Sequence, residues 1–182
     1  LQALHRFPLE GRQVDLQFSY SQRYVNVVRE KIEPRQSSQS ILQLGYQFPC
    51  QYGDKDYFAL IVFNAMFGEF AHSALFTTLR EKEGLAYSIS SQFDIFTGLL
   101  EVYAGIEKSN RNQAMRGISR ELNYIKLGRF SSSLLNQTKK IIRMNALLSE
   151  DHALTLVEQR FNKVIFGDKS LSLENWLDEI EK

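Results

Sequence analysis

A helix-to-strand corner at residues 79–88 constrains the fold of this chain more than any other stretch. Phe76 and Leu79 share one side of a predicted helix that runs over about residues 72–82. Gly84 is suited to the left-handed backbone position that often follows a helix end. An alternating strand pattern begins directly after it. The stretch therefore predicts a helix and a strand joined by a tight reversal.

Alternation of apolar and polar residues predicts strands on both sides of this corner. Residues 14–20 and 24–31 are two early strand candidates, and the clearest early strand has the apolar face Leu42, Leu44, Tyr46 and Phe48. After the corner, the loop at residues 94–98 predicts an antiparallel hairpin. Its predicted inner faces are Tyr87, Ile89, Ser91, Phe93 and Ile95 in the first strand and Leu100, Val102, Ala104 and Ile106 in the second.

Helical periodicity covers most of the remaining chain. One helix is expected to begin at a cap on Asp54, run to Phe67 and stop at Gly68, with Asn64 as its interior polar exception. Further helices are predicted at about residues 110–128, 131–148, 151–167 and 172–182, the last capped by Ser172. Their predicted inward stripes are Ala114, Ile118, Leu122 and Ile125, then Ala153, Val157, Phe161 and Val164, and finally Leu173, Trp176, Leu177 and Ile180.

This order of elements predicts an α+β fold, in which helices cover one face of an antiparallel sheet. Residues 23–182 are expected to form one domain behind a linker segment at residues 1–22. Because the chain opens with Leu1 rather than methionine, we expect it to be a piece of a longer protein.

Composition excludes several classes of partner. A formal net charge of +1 argues against binding to nucleic acid or to a membrane surface, which normally needs clustered Lys and Arg. No apolar run is long enough to span a bilayer, and the N-terminus lacks a signal pattern. Cys50 is the only cysteine, so an internal disulfide is impossible. A cytoplasmic location is expected from these features.

The motifs of common catalytic sites are missing from the sequence. His5, His72 and His152 are far apart, and neither H-x-x-E-H nor H-E-x-x-H occurs, so no zinc site is expected in this chain. G-x-S-x-G and the glycine-rich phosphate loops are also absent. The acidic pair Glu150 and Asp151 lies at a predicted helix boundary, where capping explains it better than acid–base catalysis.

Two side chains at the corner remain as candidate ligand contacts. Arg80 offers a fork of N–H donors and Tyr87 a phenolic O–H, and both suit a peptide carbonyl or a developing oxyanion. The alternative is structural: Arg80 would complement the negative end of its helix, and Tyr87 would lie in the core beside Ile89 and Phe93. Spacing alone favours the structural alternative and leaves both open.

Three motifs in this order resemble a known family: Leu-Gln-Leu-Gly-Tyr at 42–46, Phe-Gly-Glu-Phe-Ala-His-Ser-Ala-Leu-Phe at 67–76 and Leu-Arg-Glu-Lys-Glu-Gly-Leu-Ala-Tyr-Ser at 79–88. Over about residues 24–182 the chain is similar to the C-terminal, non-catalytic domain of the insulinase, pitrilysin and mitochondrial-processing-peptidase superfamily. In that family, homologous α+β domains pair as a clamshell around an unfolded peptide. One half binds zinc through H-x-x-E-H, and the other contributes an Arg and a Tyr to the substrate.

The resemblance implies that this chain is the substrate-binding half of a zinc endopeptidase, with Arg80 and Tyr87 as its contact residues. The implied partners are an unfolded peptide and a homologous zinc-bearing domain or subunit, and this chain would hold no cofactor and be inactive alone. One departure supports an alternative. Residues 70–76 have the form Phe-x-His-Ser-x-Leu-Phe, without the family's usual Gly-Gly before it, and this form resembles bacterial members that lack zinc. The chain would then be an inactive binding or scaffold partner of an active peptidase, and an H-x-x-E-H motif upstream would decide between the two.

Overall fold

The computed structural model describes Gln22 and residues 25–149, 153–167 and 170–182. Within these residues, three strands form one antiparallel sheet in the order β1-β3-β2. The strands are β1 (Ser40–Gln47), β2 (Ala86–Asp94) and β3 (Leu99–Ile106). The hairpin predicted after the corner is thus confirmed as β2 and β3, and the strand predicted at residues 14–20 lies outside the described residues.

The described part of the chain contains helices of three kinds beside this sheet. The α-helices are α1 (Tyr57–Asn64), α2 (Arg111–Lys126), α3 (Ser132–Ser149), α4 (Ala153–Phe166) and α5 (Leu173–Glu181). Two wider π-helical stretches, the first π segment (Ala65–Glu69) and the second π segment (Phe76–Lys82), precede β2, and a 3₁₀ turn spans Lys108–Asn110. The helices pack on one face of the sheet, as the α+β prediction requires. None of the helices in the described part is long and apolar enough to cross a membrane.

The strand register assigns each residue to one face of the sheet. Ala104 lies between Leu42 and Ile89, and these apolar side chains are buried under the helices. Tyr103 lies between Gln43 and Ser90, which are exposed. We call this second side the open face; it also carries Gly45, Ser88, Gln92, Glu101 and Gly105.

A β-bulge at the start of β2 reverses the predicted orientation of Tyr87. Ala86 pairs with Ile106 and Ser88 pairs with Gly105, so Tyr87 is the extra residue between two consecutive partners. Because the extra residue shifts the alternation by one, Tyr87 is 51% exposed. The predicted core position of Tyr87 is therefore wrong.

The predicted apolar stripe of the helix after residue 110 is confirmed. Its residues Ala114, Ile118, Leu122 and Ile125 are all buried. A β-carbon at Gly117 would lie 3.2 Å from Leu79 Cδ2, so a glycine lets α2 approach the second π segment closely. This contact brings the helix of the corner against α2.

Three local predictions before the corner are wrong. Residues 25–31 form no strand, and Val28 is 97% exposed, because this run pairs with no neighbouring strand among the described residues. Asp54 does not cap α1, since its carboxylate accepts a hydrogen bond from Gln51 N at 2.8 Å in the preceding turn. Gly68 does not stop the helix but lies inside the first π segment.

The two C-terminal helices give opposite outcomes. The predicted inward stripe of α4 is wrong: Ala153, Val157, Phe161 and Val164 are exposed, Val164 by 74%. Periodicity identifies the residues that share a face, but it does not say whether another element covers that face. In α5 the prediction is confirmed, because Ser172 Oγ accepts a hydrogen bond from Asn175 N and Ile180 is buried.

Candidate functional site

The corner is closed by hydrogen bonds around a left-handed glycine. Gly84 has a φ of +60°, the conformation predicted after the helix end. Leu85 N donates to Leu79 O at 2.8 Å and Glu83 N donates to Thr78 O at 2.9 Å, which ends the second π segment. A β-carbon at Gly84 would meet nothing within 4 Å, so the backbone dihedral alone requires glycine.

An arginine of α2 attaches the corner to the helical layer. Arg120 Nη2 lies 2.6 Å from Glu83 Oε1, and Arg120 Nε lies 3.0 Å from Glu121 Oε1. Glu83 immediately precedes Gly84 in the chain. An exposed pair of this kind contributes at most about 1 kcal/mol, so its main effect is to hold the corner beside α2.

Arg80 lies on the surface at the helical side of the corner. Its guanidinium carbon is 4.4 Å from the centroid of the Phe76 ring, which is a cation–π contact. Arg80 Nε is 3.6 Å from Glu81 Oε1, a long ion pair between two exposed side chains. The aromatic ring orients the guanidinium, and most of its N–H donors stay accessible to a ligand.

Tyr87 lies on the strand side of the corner and is bound to Glu107. Tyr87 Oη donates a hydrogen bond to Glu107 Oε1 at 2.6 Å, and Glu107 Oε2 accepts a longer one from Ser109 Oγ at 3.5 Å. The bond to Glu107 raises the pKa of Tyr87, because it stabilises the neutral phenol and because the carboxylate charge opposes the phenolate. Sequence reasoning did not identify Glu107; its only signal is its position directly after an alternating strand.

The structure exposes both predicted contact residues at one corner without joining them. In the described part of the chain, no hydrogen bond or ring contact connects Arg80 with Tyr87. Their role in binding a substrate remains a prediction.

The resemblance places the zinc ion in a neighbouring domain, and the described residues of this chain form no site that fits such an ion. Among them, no group of three or more His, Cys, Asp and Glu side chains is arranged to hold a metal. His72 instead has its Nε2 2.8 Å from Thr138 Oγ1 and its ring stacked on Phe70. Burial lowers the pKa of His72. His5 and His152 lie outside the described residues.

A polar cluster of buried Asn64 and Ser91 and exposed Glu69 links α1 and the first π segment to β2. Ser91 Oγ donates to Asn64 Oδ1 at 2.8 Å, and Asn64 Nδ2 donates to Glu69 Oε2 at 2.9 Å. Desolvation raises the pKa of Glu69, and the bond from Asn64 partly offsets this. Asn64 is the interior polar exception noted in the sequence, and its two partners explain how it is buried.

A cavity of about 770 Å³ opens between α3, α4 and α5. Aromatic side chains from four places in the chain line it, together with Glu69 and Arg160; they are Tyr52, Tyr57, Phe70 and Trp176. Neither Arg80 nor Tyr87 contributes to its wall. The cavity is therefore separate from the candidate contact residues.

Comparisons with known proteins agree with this fold. The chain is 35% identical over 179 residues to "Probable inactive metalloprotease YmfF" of Bacillus subtilis (strain 168), covering 92% of this chain and 42% of that protein. A crystal structure of a conserved protein from Enterococcus faecalis V583 superposes with a TM-score of 0.85 at 41% identity, covering 89% of this chain and 38% of the other. A peptidase M16 inactive domain from Pseudomonas fluorescens superposes with a TM-score of 0.58 at 21% identity, covering 78% and 37%, and shows a shared fold.

The fold and the comparisons define the class of this protein as an inactive domain of a metallopeptidase. Residues 11–142 match the family described as "Peptidase M16 inactive domain". The chain belongs to that family, which confirms the resemblance stated from the motifs. It spans less than half of the length of the relatives named above.

Proposed function

We propose that this chain is the substrate-binding, non-catalytic half of an M16-type zinc endopeptidase. In this proposal, it encloses an unfolded peptide together with a homologous zinc-bearing domain or subunit, in the clamshell arrangement of processing peptidases. The observation that carries the proposal is the exposed position of Tyr87. A bulge turns this aromatic residue out of the core, beside the corner where Arg80 is also exposed. A cytoplasmic location belongs to the same proposal and is supported by the single cysteine, Cys50.

The chemistry of the two side chains suits the main chain of a peptide. The Arg80 guanidinium supplies only donors, which match the carbonyl oxygens of an extended peptide and an oxyanion formed from one of them. Tyr87 supplies a hydroxyl on the open face side of β2. The neighbouring open-face residues Ser90, Gln92 and Tyr103 are polar or amphipathic, and this surface suits the main chain of a polypeptide of varied sequence.

Substitution in the full-length protein tests the assignment. Arg80→Ala should lower the turnover of a fluorescently labelled unfolded peptide by about one to three orders of magnitude, as loss of one oxyanion donor does in other hydrolases. Tyr87→Phe should lower turnover as well, because the bound peptide loses one hydrogen bond. Tyr124→Phe and Arg116→Ala, which change exposed residues of α2, are the matched controls. Unchanged hydrolysis by both corner variants would remove Arg80 and Tyr87 from the site.

A second candidate function is an inactive partner that supports an active peptidase. The name of the Bacillus subtilis relative, which describes an inactive metalloprotease, favours it. The exposed apolar stripe of α4 supports a docking role in either case, since apolar patches on a surface commonly mark an interface. We assign this stripe to a homologous domain, because more than half of the length of the relatives lies outside the matched region.

Two measurements separate the candidates. An H-x-x-E-H motif upstream in the full-length protein, with zinc-dependent hydrolysis of an unfolded peptide, supports the first; a full-length protein that lacks both supports the second.

Limited proteolysis tests whether α4 docks on another domain. The double variant Phe161→Ser, Val164→Ser should speed the cleavage of interdomain segments. Glu158→Ser on the same helix is the control. Equal cleavage of all three proteins would remove α4 from the interface.

A further inference from the structure

The phenolic proton of Tyr87 is donated to Glu107 in this structure. The distance of 2.6 Å from Tyr87 Oη to Glu107 Oε1 is typical of a charge-assisted hydrogen bond to a carboxylate. A phenol carries one O–H donor and can also accept hydrogen bonds. While the bond to Glu107 persists, Tyr87 can interact with a ligand only as an acceptor.

Glu107 is free to hold this bond, because it forms no ion pair with a described Lys or Arg side chain. Its hydrogen-bond partners among the described residues are Tyr87 and Ser109. Arg80, the arginine of the corner, pairs with Glu81 instead. The negative charge of Glu107 therefore acts on the Tyr87 hydroxyl.

Two independent features of the backbone bring Tyr87 and Glu107 together. Alternation along β3 points Gly105 to the open face and Ile106 to the core, so Glu107 follows on the open-face side. The bulge on β2 moves Tyr87 out of the core series opposite these residues. Without the bulge, Tyr87 would point toward the helices and could not reach this carboxylate.

We propose that Glu107 is a positioning residue that fixes Tyr87 as the hydrogen-bond acceptor for a backbone N–H of the bound peptide. This inference rests on the proposed function and specifies what Tyr87 recognises. An extended peptide presents both carbonyl acceptors and amide donors. Arg80 binds only the carbonyl acceptors, and Tyr87 held by Glu107 binds only the amide donors. The corner thus distinguishes a peptide main chain from ligands that have carbonyl groups and no N–H.

A set of backbone-modified peptides tests this in the full-length protein. One fluorescein-labelled unfolded peptide is compared, by fluorescence anisotropy, with variants in which a single amide is replaced by an ester, which removes one N–H and keeps the carbonyl. At one position the ester should weaken binding to the wild-type protein by about two- to tenfold, the value of one hydrogen bond. Tyr87→Phe should bind both peptides equally at that position. Glu107→Ala should lose most of the discrimination, since it removes the acceptor of the Tyr87 proton and the freed hydroxyl can also donate to the ester carbonyl.

A titration of Tyr87 checks that the carboxylate of Glu107 acts on the phenol in the full-length protein, and the ester discrimination is the readout that a purely structural role would not change. In ¹³C-tyrosine spectra assigned with Tyr87→Phe, Glu107→Gln should move the pKa of Tyr87 back toward its ordinary value. Glu174→Gln, an exposed carboxylate on α5, is the matched control and should leave it unchanged. An ester discrimination that is the same in Glu107→Ala as in wild type would overturn the inference, and so would a pKa of Tyr87 that is the same in Glu107→Gln as in wild type.

The outcomes separate this inference from the function on which it rests. If Tyr87→Phe weakens peptide binding but no ester substitution does so in a Tyr87-dependent way, Tyr87 acts as a donor. The inference is then wrong, and the proposed function stands. If neither Tyr87→Phe nor Arg80→Ala changes peptide binding, both are wrong.

Discussion

Gly68 is the position where one added methyl group should damage the fold most. It lies in the first π segment, directly against β2. A β-carbon there would be 2.6 Å from Ser91 Oγ, 2.8 Å from Ser91 N and 2.9 Å from Leu75 Cδ1. The Ser91 nitrogen belongs to the central part of a strand and cannot move independently of its sheet. Gly68→Ala must therefore shift the helix, the strand or both.

The cost has two parts and one compensation. Overpacking of a close-packed interior costs typically about 1–3 kcal/mol. Displacing Ser91 Oγ also breaks its bond to Asn64, and a buried polar group left without its partner costs about 1–3 kcal/mol more. Replacing glycine by alanine inside a helix returns up to about 1 kcal/mol. We expect Gly68→Ala to lower the free energy of unfolding by about 3 kcal/mol, which corresponds to roughly 6–12 °C in Tm for a domain of this size.

Gly45→Ala is the matched control for this experiment. Gly45 is exposed on the open face of β1, and a β-carbon there meets nothing within 4 Å. Urea unfolding can be followed by the fluorescence of Trp176, the single tryptophan, which packs edge-on against Phe58. Gly45→Ala should stay within about 0.5 kcal/mol of wild type. If Gly68→Ala unfolds at the same urea concentration as Gly45→Ala, the close packing of the first π segment against β2 is wrong.

Three further experiments test the polar cluster, the histidine and the corner. Asn64→Leu should cost about 1–3 kcal/mol in urea unfolding, and adding Ser91→Ala should recover part of it, because both partners are then apolar; no recovery would argue against the Ser91–Asn64 bond. Burial lowers the pKa of His72, so the unfolded state is protonated at a higher pH than the folded state. The Tm of the wild-type protein should therefore decrease when the pH is lowered from about 7.5 to about 5.5. His72→Gln should show a smaller fall; an equal one would contradict the assignment. Gly84→Ala should cost about 1–2 kcal/mol at its left-handed position, and Gly84→Asn less; equal stability of Gly84→Ala and wild type would refute the strained corner.

Period-two and helical patterns predicted the parts of the fold in which a buried face has a neighbour within the described chain. The inward series of β3 from Leu100 to Ile106 and the buried stripe of α2 follow the sequence directly, since regular spacing and burial coincide there. In α4 the same pattern failed. Val157, Phe161 and Val164 share a face, but no described element covers it. A sequence pattern identifies the residues that share a face of an element. It does not identify the element that covers this face.

Local backbone irregularities were the features that sequence patterns could not predict. Neither π segment has a residue spacing that distinguishes it from an α-helix. The motif match selected Arg80 and Tyr87, and periodicity placed Tyr87 in the core. The bulge between Ala86 and Ser88 resolves this conflict, since one extra residue turns Tyr87 outward.

The exposure of Tyr87 by the bulge supports a functional role for its side chain. Ile89, two residues later in β2, is buried in the core. Because residues two apart in a regular strand share a face, a strand without the bulge would have buried Tyr87 as well. The chain instead inserts a residue, leaves the aromatic ring about half exposed and binds its hydroxyl to a carboxylate that no described cation neutralises. Core packing accounts for none of these three features. A requirement for a fixed hydroxyl on the surface accounts for all of them. It predicts that deleting one residue at the bulge would abolish peptide binding in a protein that still folds.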